Sequence, residues 1–440
     1  MSILSFPVRP KVREKGLTLS DEMKRAIAAI ARAESPVFIT GGAGTGKSTL
    51  LRIIREEANP SLAVLAPTGI AAMNVRGSTI HSFFRFPPRL MTKHEFRSSP
   101  SMKDLLGRLS GIVIDEVSMV RADLLDAVDT TLKMHLDPRK PFGGLQIVFI
   151  GDLLQLPPVV TGDDLQQHFS SLYESQFFFD AAALQFCPLQ CYCLTQTFRQ
   201  TDPAFVALLN RIRRGFATEA DLRLVNARVG MRQQDNQKSI TLTATRKLAE
   251  DINRRCLDQL TGAEQGFTAL VKGRAAEKEA PADDHLRLKS GARIMMLQNN
   301  RTLWQNGTVG TVLGFGKHNG DEAIRVSLPT GEHWVTRHTW EIVRYTKNPA
   351  GAGVLEEVTG AFSQFPLKLA WAATIHKSQG MTFDSVTIDL HHRVFEYGQL
   401  YVALSRCRSL EGITLTSPVQ LSDMKSHPRV RWFEAVNSLA

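Results

Sequence analysis

A glycine-rich segment near the start of the chain has the residue types and spacing that bind phosphate. The stretch "GGAGTGKS", from Gly41 to Ser48, fits the pattern G-x-x-x-x-G-K-[ST]. An apolar run before it predicts a buried strand, and a helical pattern follows it, so backbone N–H groups at a helix N-terminus would face phosphate oxygens. The expected nucleotide-binding residues are Gly42, Ala43, Gly44, Thr45, Gly46, Lys47, Ser48 and Thr49.

Two acidic residues after a second apolar strand supply the carboxylates that a magnesium-bound triphosphate requires. The stretch "GIVIDEVSMV" ends its apolar run at Asp115 and Glu116. We expect Ser48 and Asp115 to hold Mg²⁺ and Glu116 to orient or deprotonate the attacking water. Strand ends often carry solvated acids, so this pair predicts a magnesium site only in combination with the phosphate loop.

A third strand, "LQIVFIGD", continues into "LLQLPPV", where Gln155 is placed to sense the γ-phosphate. Strands here alternate with helices, which predicts a parallel sheet wound on both faces with ligands at the carboxyl ends of its strands. We therefore predict an α/β, RecA-like P-loop domain over residues 1–185.

A second α/β domain is predicted downstream. The segment "LTQTFRQ" carries Arg199, and "YVALSRCRS" carries Arg406 and Arg408; a guanidinium offered from outside the phosphate-loop domain could neutralise charge on a transferring phosphoryl group. We assign this domain to residues 186–261 and 359–440. Between them, residues 262–358 contain short, β-branched or alternating runs, which predict a small β-barrel.

The composition favours a polyanionic partner. Lys and Arg number 53 against 43 for Asp and Glu, which gives a net charge of +10, although many basic proteins bind no nucleic acid. The five cysteines are odd in number and are read as reduced structural thiols. No apolar run approaches the ~20 residues that cross a bilayer, so we expect no membrane and a cytosolic, nucleoid or organellar location.

The order of motifs along the chain resembles that of the petite-integration-frequency (PIF) helicases of superfamily 1B. The resemblance is carried by the segments "LSDEMKRAI", "GGAGTGKST", "LAPTGIAAMNVRGSTIHSFF", "IVIDEVSMV", "PFGGLQIVFIGDLLQLPPV", "LTQTFRQ", "PLKLAWAATIHKSQGMTFD" and "GQLYVALSRCRSLEGI". The stretch from Val117 to Gly151 looks like the signature that separates this family from its RecD-like relatives.

The resemblance implies two RecA-like domains, a small wedge insertion at about residues 84–104 and an SH3-like insert in the second domain. It also implies ATP and Mg²⁺ as cofactors and 5′-to-3′ movement on single-stranded DNA. The substrates it implies are duplexes, forks, G-quadruplexes and RNA–DNA hybrids, handled by a monomer in DNA repair, recombination, replication or telomere maintenance. The location would be the bacterial cytoplasm or nucleoid, or the nucleus or mitochondrion of a eukaryote.

The resemblance also assigns roles to individual residues. The catalytic set is Lys47, Asp115, Glu116, Gln155, Arg199 and Arg406. Nucleotide contacts outside the phosphate loop are Met23, Gln379 and Gly380. The DNA-binding set is Pro67, Thr68, Gly69, Ser78, Thr79, His81, Ser82, Phe83, Pro157, Thr374, His376, Lys377 and Ser378.

One position departs from the family pattern. The segment "LSDEMKRAI" normally carries a glutamine that reads the adenine edge, and Met23 stands in its place. A methionine can pack on a base but cannot form the paired hydrogen bonds of an amide. We therefore expect weakened discrimination among nucleoside triphosphates with hydrolysis preserved.

The polar run "TIHKSQG" is expected to contact two ligands, the DNA backbone and the nucleotide. The hydroxyls of Thr374 and Ser378 and the imidazole of His376 could donate to phosphate oxygens of DNA, while Gln379 and Gly380 turn back toward the nucleotide cleft. Such backbone contacts would make DNA binding largely independent of sequence and sensitive to salt.

Several readings stay open at this stage. The basic, phenylalanine-rich stretch "RFPPRLMTKHEFRSSPSMK" is either the wedge or a surface loop, and the arginines of "LLNRIRRG" are either a solvated helix end or a DNA contact. The rival functions are a RecD-like subunit or RNA-directed translocase that needs partners, and a nucleotide-gated DNA-binding switch that hydrolyses without unwinding.

Overall fold

The computed structural model describes residues 19–57, 61–87, 89, 95–160, 163–200, 202–231, 239–273, 282–300, 303–304, 306–347, 354–390 and 396–439. Its α-helices are α1 (Asp21–Arg32), α2 (Lys47–Glu57), α3 (Gly69–Asn74), α4 (Ile80–Phe84), α5 (Pro100–Leu106), α6 (Ala122–His135), α7 (Asp163–Leu172), α8 (Ala182–Gln185), α9 (Pro203–Arg214), α10 (Glu219–Asn226), α11 (Arg246–Gln259), α12 (Gln399–Leu404) and α13 (Pro428–Val436). Among these helices, none is long and apolar enough to cross a membrane.

The RecA-like domain that contains the phosphate loop, the first motor domain, is built on a six-stranded parallel sheet. Its strands are β1 (Val37–Gly41), β2 (Leu62–Ala66), β3 (Ser78–Thr79), β4 (Gly111–Ile114), β5 (Gln146–Ile150) and β6 (Gln190–Leu194), in the order β3-β2-β4-β5-β1-β6. The central strands are buried along their whole length because helices cover both faces. The parallel α/β prediction is confirmed.

The predicted domain boundary at residue 185 is wrong by about one strand. Residues 190–194 form β6, which pairs in parallel with β1, from Val37↔Gln190 to Gly41↔Leu194. The first sheet therefore continues to Leu194. No pattern in the sequence specified the sheet to which this strand belongs.

The second motor domain has a four-stranded parallel sheet. Its strands are β7 (Ile240–Thr243), β18 (Ala372–Thr374), β19 (Val386–Asp389) and β20 (Ile413–Leu415), in the order β18-β7-β19-β20. Helices α9, α10 and α12 contribute to its buried core. Of the apolar run "FPLKLAWAAT", only Ala372–Thr374 enter this sheet, and Leu367–Leu369 belong to another.

The insert is an antiparallel β domain. Its strands are β8 (Gln265–Thr268), β9 (Leu270–Lys272), β10 (His285–Leu288), β11 (Arg293–Met296), β12 (Val309–His318), β13 (Asp321–Leu328), β14 (Gly331–Thr336), β15 (His338–Lys347), β16 (Val354–Gln364) and β17 (Leu367–Leu369). Five of them form a sheet in the order β14-β13-β12-β11-β17. The insert therefore reaches residue 369 rather than 358, because β17 pairs with β11. Its SH3-like character stays a prediction.

The insert contacts the first motor domain through the long β15–β16 hairpin. Tyr345 on β15 is buried, and its hydroxyl accepts a 3.1 Å hydrogen bond from the Val64 amide on β2. Its ring meets Phe83 of α4 edge-on, with centroids 5.8 Å apart. One aromatic side chain of the insert is thus part of the first domain's core.

The last helix, α13, also packs on the first motor domain, although it was assigned to the second. Phe433 stacks on Phe179 with ring centroids 4.3 Å apart and lies 6.1 Å from the ring of Phe38 on β1. Arg429 forms an ion pair of 2.6 Å with Asp180. The chain therefore leaves the first domain after β6 and returns to it at α13.

The predicted wedge begins inside the core of the first domain. Phe84 and Phe86 are buried and stacked at 5.2 Å, and Met102 of α5 joins the same cluster. Positions 88 and 90–94 lie outside the described residues, so the wedge itself stays a prediction.

Candidate active site and nucleic-acid interface

The phosphate loop has the conformation that its glycines predict. Gly44 and Gly46 adopt φ values of +81° and +88°, which L side chains rarely reach. The ammonium of Lys47 donates to the carbonyl oxygens of Gly41 at 2.6 Å and Gly42 at 3.0 Å. Burial lowers the pKa of Lys47, and the neighbouring acids oppose that shift. The lysine is thus held at the loop, ready to exchange carbonyl oxygens for phosphate oxygens.

Both predicted acids follow β4 into the cleft beside this lysine. Burial, and then the adjacent Glu116, raise the pKa of Asp115 to about 7. Burial also raises the pKa of Glu116, while Lys47 and Arg406 oppose the shift. Two crowded carboxylates of this kind favour a bound cation. With Ser48 at the start of α2, these oxygens fit a Mg²⁺ site.

Gln155 lies at the junction of the two motor domains. Its amide nitrogen donates to Asp152 at 2.9 Å, and its amide oxygen accepts from Gln379 of the second domain at 3.1 Å. The predicted γ-phosphate sensor therefore bridges the end of β5 and the "TIHKSQG" segment. The structure places Gln379 at the cleft, whereas Gly380 is exposed and its carbonyl oxygen accepts a hydrogen bond from a neighbouring arginine.

That neighbour is Arg199, which lies against the phosphate loop. A Cβ atom at Gly44 would collide with Arg199, and the Phe198 amide donates to the Gly44 carbonyl at 2.8 Å. One guanidinium nitrogen of Arg199 donates to the Gly380 carbonyl at 3.1 Å. The other, Nη1, is buried and lacks an acceptor within the described part of the chain. An orphaned cationic donor at a phosphate loop fits the triphosphate of ATP.

Arg406 is fully buried on the second-domain side of the cleft. Its guanidinium donates to the carbonyl oxygens of Val402 at 2.9 Å and Ser378 at 3.3 Å. Burial, and then the nearby Arg199, lower its pKa to about 9. Arg408 instead pairs with Asp384 at the surface. The two arginines that the family pattern selects therefore lie close to each other.

Met23 does not present its side chain to solvent. It is 4% exposed within the core beneath α1, and its Cε lies 2.7 Å from the position of a Cβ on Gly46. The role of Met23 as a nucleotide contact stays a prediction. The residue supports the phosphate loop from below, while Phe198 beside it is 57% exposed.

The predicted DNA contacts of the first domain lie at two helix N-termini. The hydroxyl of Thr68 accepts from the Ala71 amide at 3.2 Å, and that of Thr79 accepts from the Ser82 amide at 3.1 Å. Pro67, Gly69, His81 and Ser82 lie beside these caps and are not fully buried.

Three first-domain residues of the DNA-binding set are enclosed instead. Ser78 is 6% exposed, Phe83 is packed in the core, and Pro157 is buried. Phe83 was predicted as a DNA contact, but its neighbours Phe84 and Tyr345 cover it. These side chains are placed to support the candidate DNA surface rather than to form it.

The "TIHKSQG" turn likewise contains both buried and exposed side chains. Ser378 is fully buried and donates to the Ile375 carbonyl at 2.7 Å, so its hydroxyl is not at the protein surface. Thr374 accepts from the Lys377 amide at 3.1 Å. Lys377 is exposed, and His376 lies 3.3 Å from Glu396. The turn therefore offers Lys377 and His376 to a partner.

Sequence reasoning missed residues that join the two domains at this cleft. The Ala43 amide of the phosphate loop donates to the hydroxyl of Tyr401 on α12 at 3.0 Å. Arg213, considered as a DNA contact, is buried against Asp152, and Arg211 pairs with Asp221. A tyrosine in an apolar helix and an arginine at a helix end carry no sequence signal for such partners.

Comparison with known proteins identifies relatives that are similar to this chain in sequence and in fold. The family model described as PIF1-like helicase matches residues 18–223. The ATP-dependent DNA helicase PIF1 of Mus musculus is 34% identical over 90% of this chain and 59% of its own length. The Pif1 of Bdellovibrio bacteriovorus is 33% identical over 91% of this chain and 88% of its own length. The chain spans 59–63% of the length of its vertebrate relatives.

A solved protein has the same architecture. Unliganded Pif1 from Bacteroides sp superimposes with a TM-score of 0.87 at 36% identity, over 96% of this chain and 97% of that one. Its complex with ADP-AlF4 gives 0.88 over 96% and 98%, and its complex with single-stranded DNA gives 0.69 over 96% and 98%. Two RecA-like motor domains, a shared phosphate-loop cleft and a relative matched over 88% of its length together establish that the chain belongs to the PIF1-like helicase family.

Proposed function

We propose that this chain is an ATP-dependent DNA helicase that moves 5′-to-3′ along single-stranded DNA and separates duplexes. One observation carries the proposal: the cleft combines Lys47, Asp115 and Glu116 of one domain with Arg199 and Arg406 of the other. A site divided in this way is complete only when the domains approach each other, so hydrolysis is coupled to their relative movement.

The roles follow from position. Lys47 binds the β- and γ-phosphates, and Glu116 orients the attacking water. Arg199 and Arg406 neutralise charge that develops on the transferring phosphoryl group. Bound Mg²⁺, held by Ser48 and Asp115, would supply charge neutralisation between the phosphates. Gln155 reports the γ-phosphate to Gln379 through their 3.1 Å hydrogen bond.

The DNA strand is proposed to lie across both motor domains. Thr68, Thr79 and His81 would hold its backbone on the first domain, and His376 and Lys377 on the second. Solved complexes of Bacteroides Pif1 with single-stranded DNA and of Pif1 helicases with forked DNA, each 36% identical to this chain, support DNA as the partner. This structure resembles the DNA-free forms of that protein more than the DNA-bound one, with TM-scores of 0.87 and 0.69, which supports domain movement on binding.

Unwinding by the purified full chain tests the proposal. With ATP and Mg²⁺, a duplex with a 5′ single-stranded tail should separate, a duplex with a 3′ tail should not, and Lys47→Ala should separate neither. Separation of the 3′-tailed duplex would overturn the polarity. ATP hydrolysis stimulated by single strands, without separation of either duplex, would instead identify the nucleotide-gated switch.

The finer substrates belong to the same proposal. Forked duplexes, G-quadruplexes and RNA–DNA hybrids all present a single strand that a backbone grip could enter. A monomer acting in genome maintenance would suffice for each of them. Unwinding rates on these substrates, compared with a plain tailed duplex of equal length, would rank them.

A further inference from the structure

A buried arginine connects the two motor domains beside the nucleotide cleft. Arg213, on α9 of the second domain, is 4% exposed, and its guanidinium lies 2.7 Å from Asp152 at the end of β5. Its Nη2 also lies 3.9 Å from the carboxylate of Glu434 on α13. One cation is therefore shared unequally between two carboxylates on different elements.

Asp152 is connected by hydrogen bonds to candidate nucleotide-binding residues and to the turn that carries the candidate DNA contacts. Asp152 accepts from Gln155 at 2.9 Å, and Gln155 in turn accepts from Gln379 at 3.1 Å. Burial alone would raise the pKa of Asp152, but Arg213 and Lys47 hold it below its usual range. The aspartate is thus ionised and bound from two sides.

Glu434 lies on α13, the helix with which the chain returns to the first domain. Helix α13 is fixed there by the stacking of Phe433 on Phe179 and by the ion pair between Arg429 and Asp180. Helix α9, in contrast, belongs to the core of the second domain. Any movement of the second domain must therefore change the position of Arg213 relative to both carboxylates.

There is room for such a change. A cavity of about 80 Å³ lies between the phosphate loop and α9, and its lining includes Gly42, Arg213, Arg214 and Tyr401. Removing a buried charge from its partner is costly, so Arg213 will keep one carboxylate partner in any arrangement of the domains. In this structure Arg213 lies closer to Asp152, and the free space beside it leaves room for an arrangement in which Glu434 is the nearer partner.

We propose that Arg213 and Glu434 are positioning residues that pass the state of the Gln379–Gln155–Asp152 chain to α13 and so couple DNA binding to ATP turnover. Neither residue touches the reacting atoms. The inference rests on the proposed function, because it uses the roles given there to Gln155 and to the turn at 376–380.

The test compares two carboxylate-to-amide variants, each of which removes a carboxylate that lies near an arginine. Glu434→Gln removes the buried acceptor, whereas Glu174→Gln removes the exposed partner that lies 2.6 Å from Arg429. At about pH 8, where Glu434 is ionised in the wild type, we expect Glu434→Gln to lower stimulation of ATP turnover by single-stranded DNA about five- to tenfold. Basal turnover, the KM for ATP and DNA affinity should stay within about twofold.

The outcomes distinguish a failure of this inference from a failure of the proposed function. Glu174→Gln should match the wild type throughout. If both variants behave alike, or if Glu434→Gln lowers basal turnover as much as stimulated turnover, the inference is overturned. If DNA fails to stimulate the wild type, the proposed function itself fails.

A second variant tests the route. If Glu434 acts through Arg213, then Arg213→Lys alone and Arg213→Lys with Glu434→Gln should lose stimulation to the same extent, since both break one link. Additive losses would show that Glu434 acts independently of Arg213 and would overturn the inference. Arg213→Lys keeps a charge beside Asp152, which protects folding.

Discussion

The hydroxyl of Tyr401 in the second motor domain accepts a hydrogen bond of 3.0 Å from the Ala43 amide of the phosphate loop in the first. Tyr401 is 4% exposed, so this contact closes the cleft at its base. The loop that receives the phosphates is thus already held by the opposite domain. Nucleotide binding and domain arrangement cannot be independent.

We predict that Tyr401→Phe changes nucleotide affinity. The substitution leaves the Ala43 amide without its acceptor in the nucleotide-free form, which costs about 1 kcal/mol. A non-hydrolysable ATP analogue should therefore bind up to about fivefold tighter. Tyr192→Phe, which removes a hydroxyl that donates to Gln190 on the same strand, is the matched control. Weaker binding by Tyr401→Phe would mean that the hydroxyl contacts the nucleotide.

The base preference follows from Met23. An amide that reads adenine contributes about 1–3 kcal/mol of discrimination, and no amide stands at this position. We expect kcat/KM for ATP to exceed that for GTP by less than about tenfold, and Met23→Gln to increase the ratio. A wild-type preference for ATP of about a hundredfold would contradict this account.

The contact between Tyr345 and Val64 should stabilise the docked insert. Tyr345→Phe leaves the buried Val64 amide unsatisfied, which should reduce the free energy of unfolding by about 1–3 kcal/mol. Thermal unfolding and small-angle scattering would detect the loss and any outward movement of the insert. Unchanged values for both would show that the hydrogen bond adds nothing to docking.

Glu434 predicts a pH dependence of stability. Burial raises its pKa from 4.5 to about 7, although Arg213 and Arg214 oppose the shift and Asp152 adds to it. A raised pKa means that the folded form binds the proton more tightly, so this group's contribution is complete below about pH 4.5 and is lost as the pH rises to about 7.

Glutamine at this position resembles the protonated acid and does not titrate. The thermal midpoint of Glu434→Gln relative to the wild type should therefore rise between about pH 5 and about pH 8, by the equivalent of up to about 3 kcal/mol. A difference that stays constant over this range would mean that Glu434 keeps an ordinary pKa in the folded protein.

Local motifs were readable from the sequence because their chemistry is local. Each of these motifs is recognised from residues that are its neighbours in the sequence. This holds for the glycines of the phosphate loop, the acids after β4 and the arginines of the second domain. Phe83 and Ser378 were misread as surface contacts for a related reason: both belong to polar segments, and only tertiary packing encloses them.

Long-range partners left no trace in the pattern. Tyr345 meets Val64 across 281 residues, and Arg213 meets Asp152 across 61. The same limit explains the boundaries: β17 and β18 are separated by two residues of one apolar run, yet they enter different sheets. Hydrophobicity predicts that a strand is buried but does not specify its neighbour.

The central claim is that two domains share one catalytic site and together bind one DNA strand. Steady-state ATP turnover with and without single-stranded DNA tests this claim most directly. In the wild type, DNA should raise turnover at least about tenfold. Arg406→Ala should remove most hydrolysis, as Lys47→Ala does, while both variants still bind the strand. Equal turnover with and without DNA, or full hydrolysis by Arg406→Ala, would contradict the account.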